Sequence, residues 1–244
     1  MRLEATTPST IAQLWTRLEP RVQQSGCLED AAQVLAEGLH TQFEESIVIA
    51  RVFLTVPFGA LQPENKAFVQ RLAELTGAGA ELKAGTPVLS LIGTHGQDPE
   101  WNDRRKSEGH MGIPLIPSAF VEEIPIMFRL LKEVGVPLDW AGSDSSELIK
   151  RPVGRSALAF FVENAAEATD HKGPKIIEGQ DFVAAHNVRS VFGTGCGYSG
   201  SRALVAVVFN RDPVCPSTAE HFLALIESFE RKTTARFATK AFAQ

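Results

Sequence analysis

The sequence predicts an α+β fold, in which helices flank a central β-sheet. Apolar residues at helical spacing open and close the chain, and valine-rich or alternating segments lie between them. The last two predicted strands are neighbours, joined by the glycine-rich segment GTGCGYSGS. We expect this pair to form the centre of the sheet, together with earlier strands of similar composition. The predicted strands are 46–57, 86–93, 156–162, 188–193 and 203–209.

Composition limits the class of protein. The 244 residues are 44% apolar and 22% charged, as in ordinary globular domains. A formal net charge of -5 disfavours a nucleic-acid binder, because phosphate recognition needs a basic face. No apolar run approaches the roughly 20 residues of a membrane span, and the N-terminus lacks the apolar core of a signal peptide. Three cysteines at unrelated spacings indicate reduced thiols and a cytoplasmic protein.

Two helices are predicted before the first strand. Ser9 is a candidate N-cap for a helix over 10–24, in which Pro20 is expected to cause a kink. Its apolar stripe is Ile11, Leu14, Trp15, Leu18 and Val22. A second helix is predicted over 28–42. Because both helices precede any strand, they can lie outside the sheet and contact a partner.

The segment 94–112 (THGQDPEWNDRRKSEGHMG) follows the strand 86–93, which is itself preceded by a predicted helix over 63–75. It is polar and shows no periodicity. A connection of this length is either functional or disordered, and its tryptophan and two histidines favour function. We therefore expect this loop to carry a site.

The second half of the chain is predicted to alternate helices and strands. A helix over 118–134 begins at the candidate N-cap Ser118, and 136–139 is a candidate edge strand. The strand 156–162 follows after a polar connection. A short helix over 181–186 leads into the two adjacent strands, and a final helix over 216–237 has Ser217 as its candidate cap. A single domain with helical extensions is the simplest organisation.

The order of these elements resembles that of GAF domains. The segments that carry the resemblance are LEDAAQVLAEGLH, SIVIARVFL, GTHGQDPEWNDRRKSEGHMGIPL, EEIPIMFRLLKEVGV, DFVAAHNVRSVFG and ALVAVVFNRD. It implies an antiparallel sheet of about five or six strands flanked by helices, with the N- and C-terminal helices packing together. The implied organisation is a helical extension over 1–26, a single GAF-like domain over 27–237 and a tail over 238–244.

The resemblance implies a sensory domain of the kind found in bacterial sensor histidine kinases and related signalling proteins. Such a domain would bind a small molecule between the sheet and the 94–112 loop, and would transmit the change through its terminal helices. The implied partners are a second copy of the chain and a signalling protein. No cofactor signature is present. Two alternatives stay open: an enzyme on a GAF-like scaffold that uses Cys196 or a loop histidine, and an interaction module without a ligand.

Two motifs suggest chemistry but favour structural roles. Residues 195–200 (GCGYSG) match the dinucleotide fingerprint G-x-G-x-x-G, yet a strand follows where the fingerprint requires a helix. We expect these glycines to allow positive φ in a hairpin connection, with Cys196 as a small residue within it. His95 and His110 flank four acidic residues at spacings that match no compact metal motif. Metal binding there is accordingly disfavoured.

The 94–112 loop also holds the predicted ligand-binding residues. As a group they offer an aromatic ring, an amide, a hydroxyl and two guanidinium groups, which suit a carboxylate or phosphate. The alternative is that the arginines pair with surface acids and the tryptophan anchors the loop to the core. The predicted residues are Trp101, Asn102, Arg104, Arg105, Ser107 and His110.

Overall fold

A computed structural model describes residues 1–107, 110–116, 157–169, 175, 177, 179–199, 202–237 and 240–242. In this part of the chain the helices are α1 (Pro8–Gln24), α2 (Leu28–Gln42), α3 (Pro63–Leu75), α4 (Gln180–Ala185), α5 (Pro216–His221) and α6 (Leu223–Phe237). The strands are β1 (Ile47–Pro57), β2 (Pro87–Gly96), β3 (Gly112–Pro114), β4 (Ala157–Val162), β5 (Ser190–Tyr198) and β6 (Arg202–Asn210). The predictions over 118–134 and 136–139 lie outside the described residues.

The six strands form one antiparallel sheet in the order β3-β2-β1-β6-β5-β4. The first and last strands of the chain, β1 and β6, therefore lie side by side at its centre. Both carry long apolar runs, which suits strands covered on both faces. This confirms the predicted α+β class and the expected sheet of five or six strands.

Each face of the sheet has its own apolar core. One core packs α1, α2 and α6 against the strands and includes Leu35 and Phe229. Helices α1 and α6 also contact each other, as predicted for the terminal helices, with an ion pair of 2.6 Å between Lys232 and Glu19. The second core covers the opposite face and includes Phe53 and Val207. This side, which we call the open face, lies opposite α1, α2 and α6; its core residues are buried and include Val183 of α4.

Helix α1 begins two residues earlier than predicted. Its N-cap is Thr7, not Ser9, and Thr7 and Thr10 form a reciprocal capping box with Pro8 at the first turn. Pro20 lies inside the helix, which continues to Gln24. The apolar stripe of α1 is buried in the same core as α2, so this helix is packed into the fold.

The glycine-rich segment after 193 belongs to a strand. Strand β5 runs to Tyr198, and Gly193, Gly195 and Gly197 all pair with residues of β6. The expectation of positive φ was wrong for Gly195 and Gly197, because Gly77 is the only glycine among the described residues that has a positive φ; Gly200 lies outside the described residues. The prediction that a strand follows the fingerprint is confirmed by β6.

The segment 94–112 is more ordered than predicted. Strand β2 extends to Gly96, and two 3-10 turns follow, at Pro99–Asn102 and Arg104–Lys106. Asp98 and Asp103 each accept a backbone N–H bond at the start of one turn. These side-chain caps order the segment although it has no helical periodicity. Caps of this kind are difficult to detect from sequence patterns alone.

Within the described residues, no helix combines the length and apolar character required to cross a bilayer.

Candidate functional site

Arg104 connects the 94–112 loop to the helical side of the molecule. Its side chain is only 4% exposed, and all three guanidinium nitrogens donate hydrogen bonds within the protein. Nε bonds Glu29 at the start of α2 at 2.6 Å, while the two terminal nitrogens bond Asn65 and Gln62 at 3.2 and 2.9 Å. The guanidinium also lies 5.6 Å from the ring of Phe242.

The residues before Phe242 bind the same helix start. Backbone N–H groups of Leu28 and Glu29 donate to the carbonyls of Lys240 and Ala241, at 3.1 and 2.9 Å. These are N–H groups that the first turn of α2 leaves without helical partners. The loop, the start of α2 and the segment after α6 therefore meet around Arg104.

Asn102 holds the loop against the end of β2. Its side-chain oxygen accepts the Gly96 N–H at 2.9 Å. Gln33 on α2 adds a bond from its amide to the Thr94 carbonyl at 2.8 Å and accepts the Thr94 N–H at 3.1 Å. Asn102 and Arg104 thus position the loop with their own side chains.

Trp101 lies in an aromatic cluster at one side of the loop. Its ring centroid is 4.8 Å from that of His186 and 5.6 Å from that of Phe182. His186 in turn shares a hydrogen bond of 2.8 Å with Gln97. Trp101 is half-buried, so part of its ring is accessible from outside this cluster.

Arg105 differs from its neighbour. Its side chain is 54% exposed and reaches Glu29 at only 3.7 Å. A contact of that length on an exposed side chain contributes little to stability. Of the two predicted arginines, Arg105 is therefore the one whose donors face solvent.

Ser107 and His110 complete the predicted group. The Oγ of Ser107 is buried without a hydrogen-bond partner. Burial, followed by the nearby charge of Arg51, lowers the pKa of His110 to about 4, so its imidazole is neutral at physiological pH. The backbone beside His110 is fixed to the sheet, because the Met111 carbonyl accepts the Leu91 N–H at 3.1 Å.

Arg51 is the functional candidate that the sequence prediction missed. It lies in the middle of β1, opposite Thr94 on β2 and Val207 on β6. A single arginine within the apolar run SIVIARVFLTVP was the available signal. The apolar residues of this segment predict the strand, and the charge of Arg51 plays no part in that prediction.

Across the open face, the paired residues next to Arg51 are Val207, Gly193 and Phe160. Val207 pairs with Gly193, and Gly193 pairs with Phe160 on β4. The ring of Phe160 lies over Gly193 so closely that a Cβ atom there would overlap Cε1 of the ring. This row places a cation, small residues and an aromatic ring side by side.

Cys196 lies on the opposite face. It is 3% exposed within the core against the terminal helices, and burial raises the pKa of its thiol to about 12. A thiol that stays protonated at neutral pH is a poor nucleophile. The enzyme alternative that used Cys196 thereby loses its reactive group.

The helix-facing core contains one small void of about 10 Å³, lined by residues such as Leu35, Phe192 and Ile226. That volume is about enough for one water molecule and too small for a metabolite. Among the described residues, no group of three or more acidic, histidine or cysteine side chains is arranged to hold a metal ion. The open face and the 94–112 loop are therefore the remaining candidates for a binding site.

No family model matches the sequence, and no curated protein matches it either. The structures that are similar to this chain include solved GAF domains, which match 92% of its length.

Three solved structures illustrate the likeness. A phycoerythrobilin-bound GAF domain from a cyanobacterial phytochrome matches 92% of this chain and 94% of its own, with 10% identity and a TM-score of 0.47. The phycocyanobilin-bound counterpart has the same coverage and identity with a TM-score of 0.46. A GAF domain from an Acinetobacter phosphoenolpyruvate-protein phosphotransferase covers 92% and 93%, with 13% identity and a TM-score of 0.45. Likeness at this level says nothing about a ligand of the present protein.

Proposed function

We propose that this GAF-like chain is a cytoplasmic, bacterial ligand-sensing domain in a signalling system. A small molecule binds between the sheet and the 94–112 loop, and the terminal helices transmit the change. In this proposal Trp101, Arg105, Ser107 and His110 contact the ligand, while Asn102 and Arg104 set the position of the loop. A ligand changes a conformational equilibrium only if it binds the two states unequally, so the loop must connect physically to the output.

The observation that carries the proposal is the junction at Arg104. One guanidinium group bonds the loop to Glu29 on α2 and to Gln62 and Asn65 at the start of α3. It also contacts Phe242 after α6, as described above. Movement of the loop would therefore act directly on the start of α2 and on the segment that follows the last helix.

Ligand binding can be tested by screening the purified protein against metabolite and cofactor libraries by thermal shift, with native mass spectrometry to detect a bound molecule. We expect one chemical class to raise the melting temperature. If no member of either library binds, the domain is an interaction module and not a sensor.

Transmission requires a separate experiment. Arg104→Lys keeps the charge but loses the geometry that serves three acceptors at once. With the ligand from the screen, hydrogen exchange should slow both in the loop and in α6 of the wild type. In Arg104→Lys the protection of the loop should remain, and that of α6 should weaken. Equal protection of α6 in both proteins would contradict the proposed route.

We also propose a homodimer through the terminal helices, with a signalling protein as a further partner. Helices α1 and α6 lie side by side, and their exposed surfaces carry charged pairs such as Lys232 with Glu19 and Arg21 with Glu37. Sedimentation velocity over a hundredfold range of concentration measures the assembly state. Charge reversal at Lys232 should shift a dimer of this kind towards monomer, whereas Lys66→Glu on α3 should not.

A further inference from the structure

Arg51 lies at the centre of the open face. In an antiparallel sheet, directly paired residues point to the same side. Val207, the partner of Arg51 on β6, belongs to the core of the open face, as does Phe53 two residues further along β1. The Arg51 side chain therefore projects away from α1, α2 and α6. It projects towards the side where the 94–112 loop ends at β3.

The charge on this side chain is not neutralised within the described part of the protein. Its Nε atom is enclosed and has no hydrogen-bond partner. No described carboxylate forms an ion pair with it, in contrast to Arg104, which is bonded at every guanidinium nitrogen. Burial alone lowers the pKa of Arg51, to about 10, so the group is still a cation at neutral pH.

Arg51 is half-buried, and a charged side chain with an enclosed, unpaired nitrogen is unfavourable, so proteins rarely keep one without a use. The usual solutions are an acidic partner or a ligand that supplies the negative charge. On the sheet, the neighbours of Arg51 are Thr94 on one side and, on the other, Val207 followed by Gly193 under the ring of Phe160. They offer space-filling contacts but no acid.

The end of the loop presents further unused polar groups. Ser107 Oγ is a second enclosed polar atom without a partner. The His110 ring is close enough to feel the charge of Arg51, and it is neutral, so it can donate or accept a hydrogen bond. A guanidinium with an imidazole nearby suits an oxyanion, which accepts several hydrogen bonds.

We propose that Arg51 is the anion-binding residue of this domain, and that its ligand is a small organic anion bearing a carboxylate or a phosphate ester. This deepens the sensing function proposed above and rests on it. The anionic group pairs with Arg51 beside His110, where the 94–112 loop ends. A guanidinium binds a carboxylate and a phosphate ester equally well, so both classes must be tested as ligands.

The test uses thermal shift on the full chain with defined probes. Pyruvate, succinate and 2-oxoglutarate represent carboxylates. Glycerol 3-phosphate and AMP represent phosphate esters, with inorganic phosphate alone as a further arm. Glucose and adenosine are the neutral comparison. At a hundredfold excess over Kd, we expect one anionic class to raise the melting temperature by about 5–10 °C.

Arg51→Met is the diagnostic variant because it keeps an unbranched, flexible stem and removes the charge. We expect the anion-induced shift to disappear, with Kd weakened by at least about 30-fold, and Arg51→Lys to retain part of it. Without any anion, Arg51→Met should melt at the same or a higher temperature than the wild type, because an unpaired enclosed cation has been removed. An arginine with a structural role would behave in the opposite way.

Arg189→Gln is the matched control. It removes an arginine that is exposed in the segment before β5, and it should leave the anion shift unchanged. An anion shift that is equal in the wild type and in Arg51→Met would overturn the inference. So would a shift caused by glucose or adenosine that persists in Arg51→Met, although the sensing function would then stand. Binding of nothing in this panel or in the wider libraries would remove the sensing function and the inference together.

Discussion

Breaking the Arg104–Glu29 pair should be among the most destabilising single changes in this chain. The pair is nearly closed to solvent, with the Arg104 side chain 4% exposed and that of Glu29 11% exposed. Removal of one member of a buried pair costs about 3–5 kcal/mol, because the other charge stays buried without compensation. In Arg104→Met, Glu29 loses its 2.6 Å contact with the guanidinium, and the acceptors on Gln62 and Asn65 each lose a donor. We therefore expect a loss of about 3–5 kcal/mol in the free energy of unfolding.

Urea denaturation followed by circular dichroism measures this loss. The matched control is Arg105→Met, which removes the adjacent arginine and its 3.7 Å contact with the same carboxylate. Because that side chain is 54% exposed, the control should cost no more than about 1 kcal/mol. A double-mutant cycle with Glu29→Gln should give a coupling of about 1–3 kcal/mol between Arg104 and Glu29.

A loss of stability in Arg104→Met no larger than that in Arg105→Met would contradict this expectation. Absence of coupling in the cycle with Glu29→Gln would contradict it as well. Either result would mean that Arg104 is not the connection between the loop and α2, and the proposed transmission route would lose its basis.

Three further predictions concern packing, thiols and pH. Gly193→Ala should lower stability by about 1–3 kcal/mol in urea denaturation because its Cβ would overlap a phenylalanine ring, whereas Gly85→Ala, with open space around it, should change stability by less than about 1 kcal/mol. The pKa of the exposed Cys215 is lowered to about 7, mainly by its bond with a neighbouring serine hydroxyl. In a thiol-reagent assay Cys215 should therefore react before the buried Cys196, and the fast phase should vanish in Cys215→Ser. The pKa of His110 falls from 6.5 in the unfolded chain to about 4 in the folded protein, so stability is full above pH 6.5 and decreases as the pH falls towards 4. His110→Gln should reduce this decrease by up to about 3 kcal/mol. An unchanged slope of stability against pH would contradict the burial of His110.

The elements with strong periodicity were predictable from the sequence. Helix α2 and helix α3 have the predicted bounds, and β1 and β4 differ from prediction by one residue. These segments show clear apolar patterns, which determine which side faces the core. The α+β class follows from them.

Strand β5 shows why the rest of the fold was harder to predict. Its last residues are glycine-rich, and glycine normally signals a turn. Here the glycines are tolerated within a strand because Phe160 from the neighbouring strand occupies the space above Gly193. That packing depends on a residue more than thirty positions away, which a local pattern cannot contain.

The site was predictable only as a region. The 94–112 loop stood out by its length and polarity, but two of its named residues use their side chains to position it. The partners of Arg104 lie on α2 and at the start of α3, between 39 and 75 positions away in sequence. Arg51 was overlooked because its importance lies in the absence of an acid opposite it among the described residues, which is a property of the folded sheet.

The placement of β1 beside β6 has a consequence for how the chain folds. Strand β1 pairs with residues such as Leu204 and Val208, so its second edge cannot be satisfied until about 150 further residues have been made. During synthesis an apolar strand edge is thus exposed for many seconds. We expect slow folding with a high contact order and a strong dependence on chaperones when the protein is overproduced. Expression at low temperature, or refolding at low concentration, should accordingly give a higher yield of native protein.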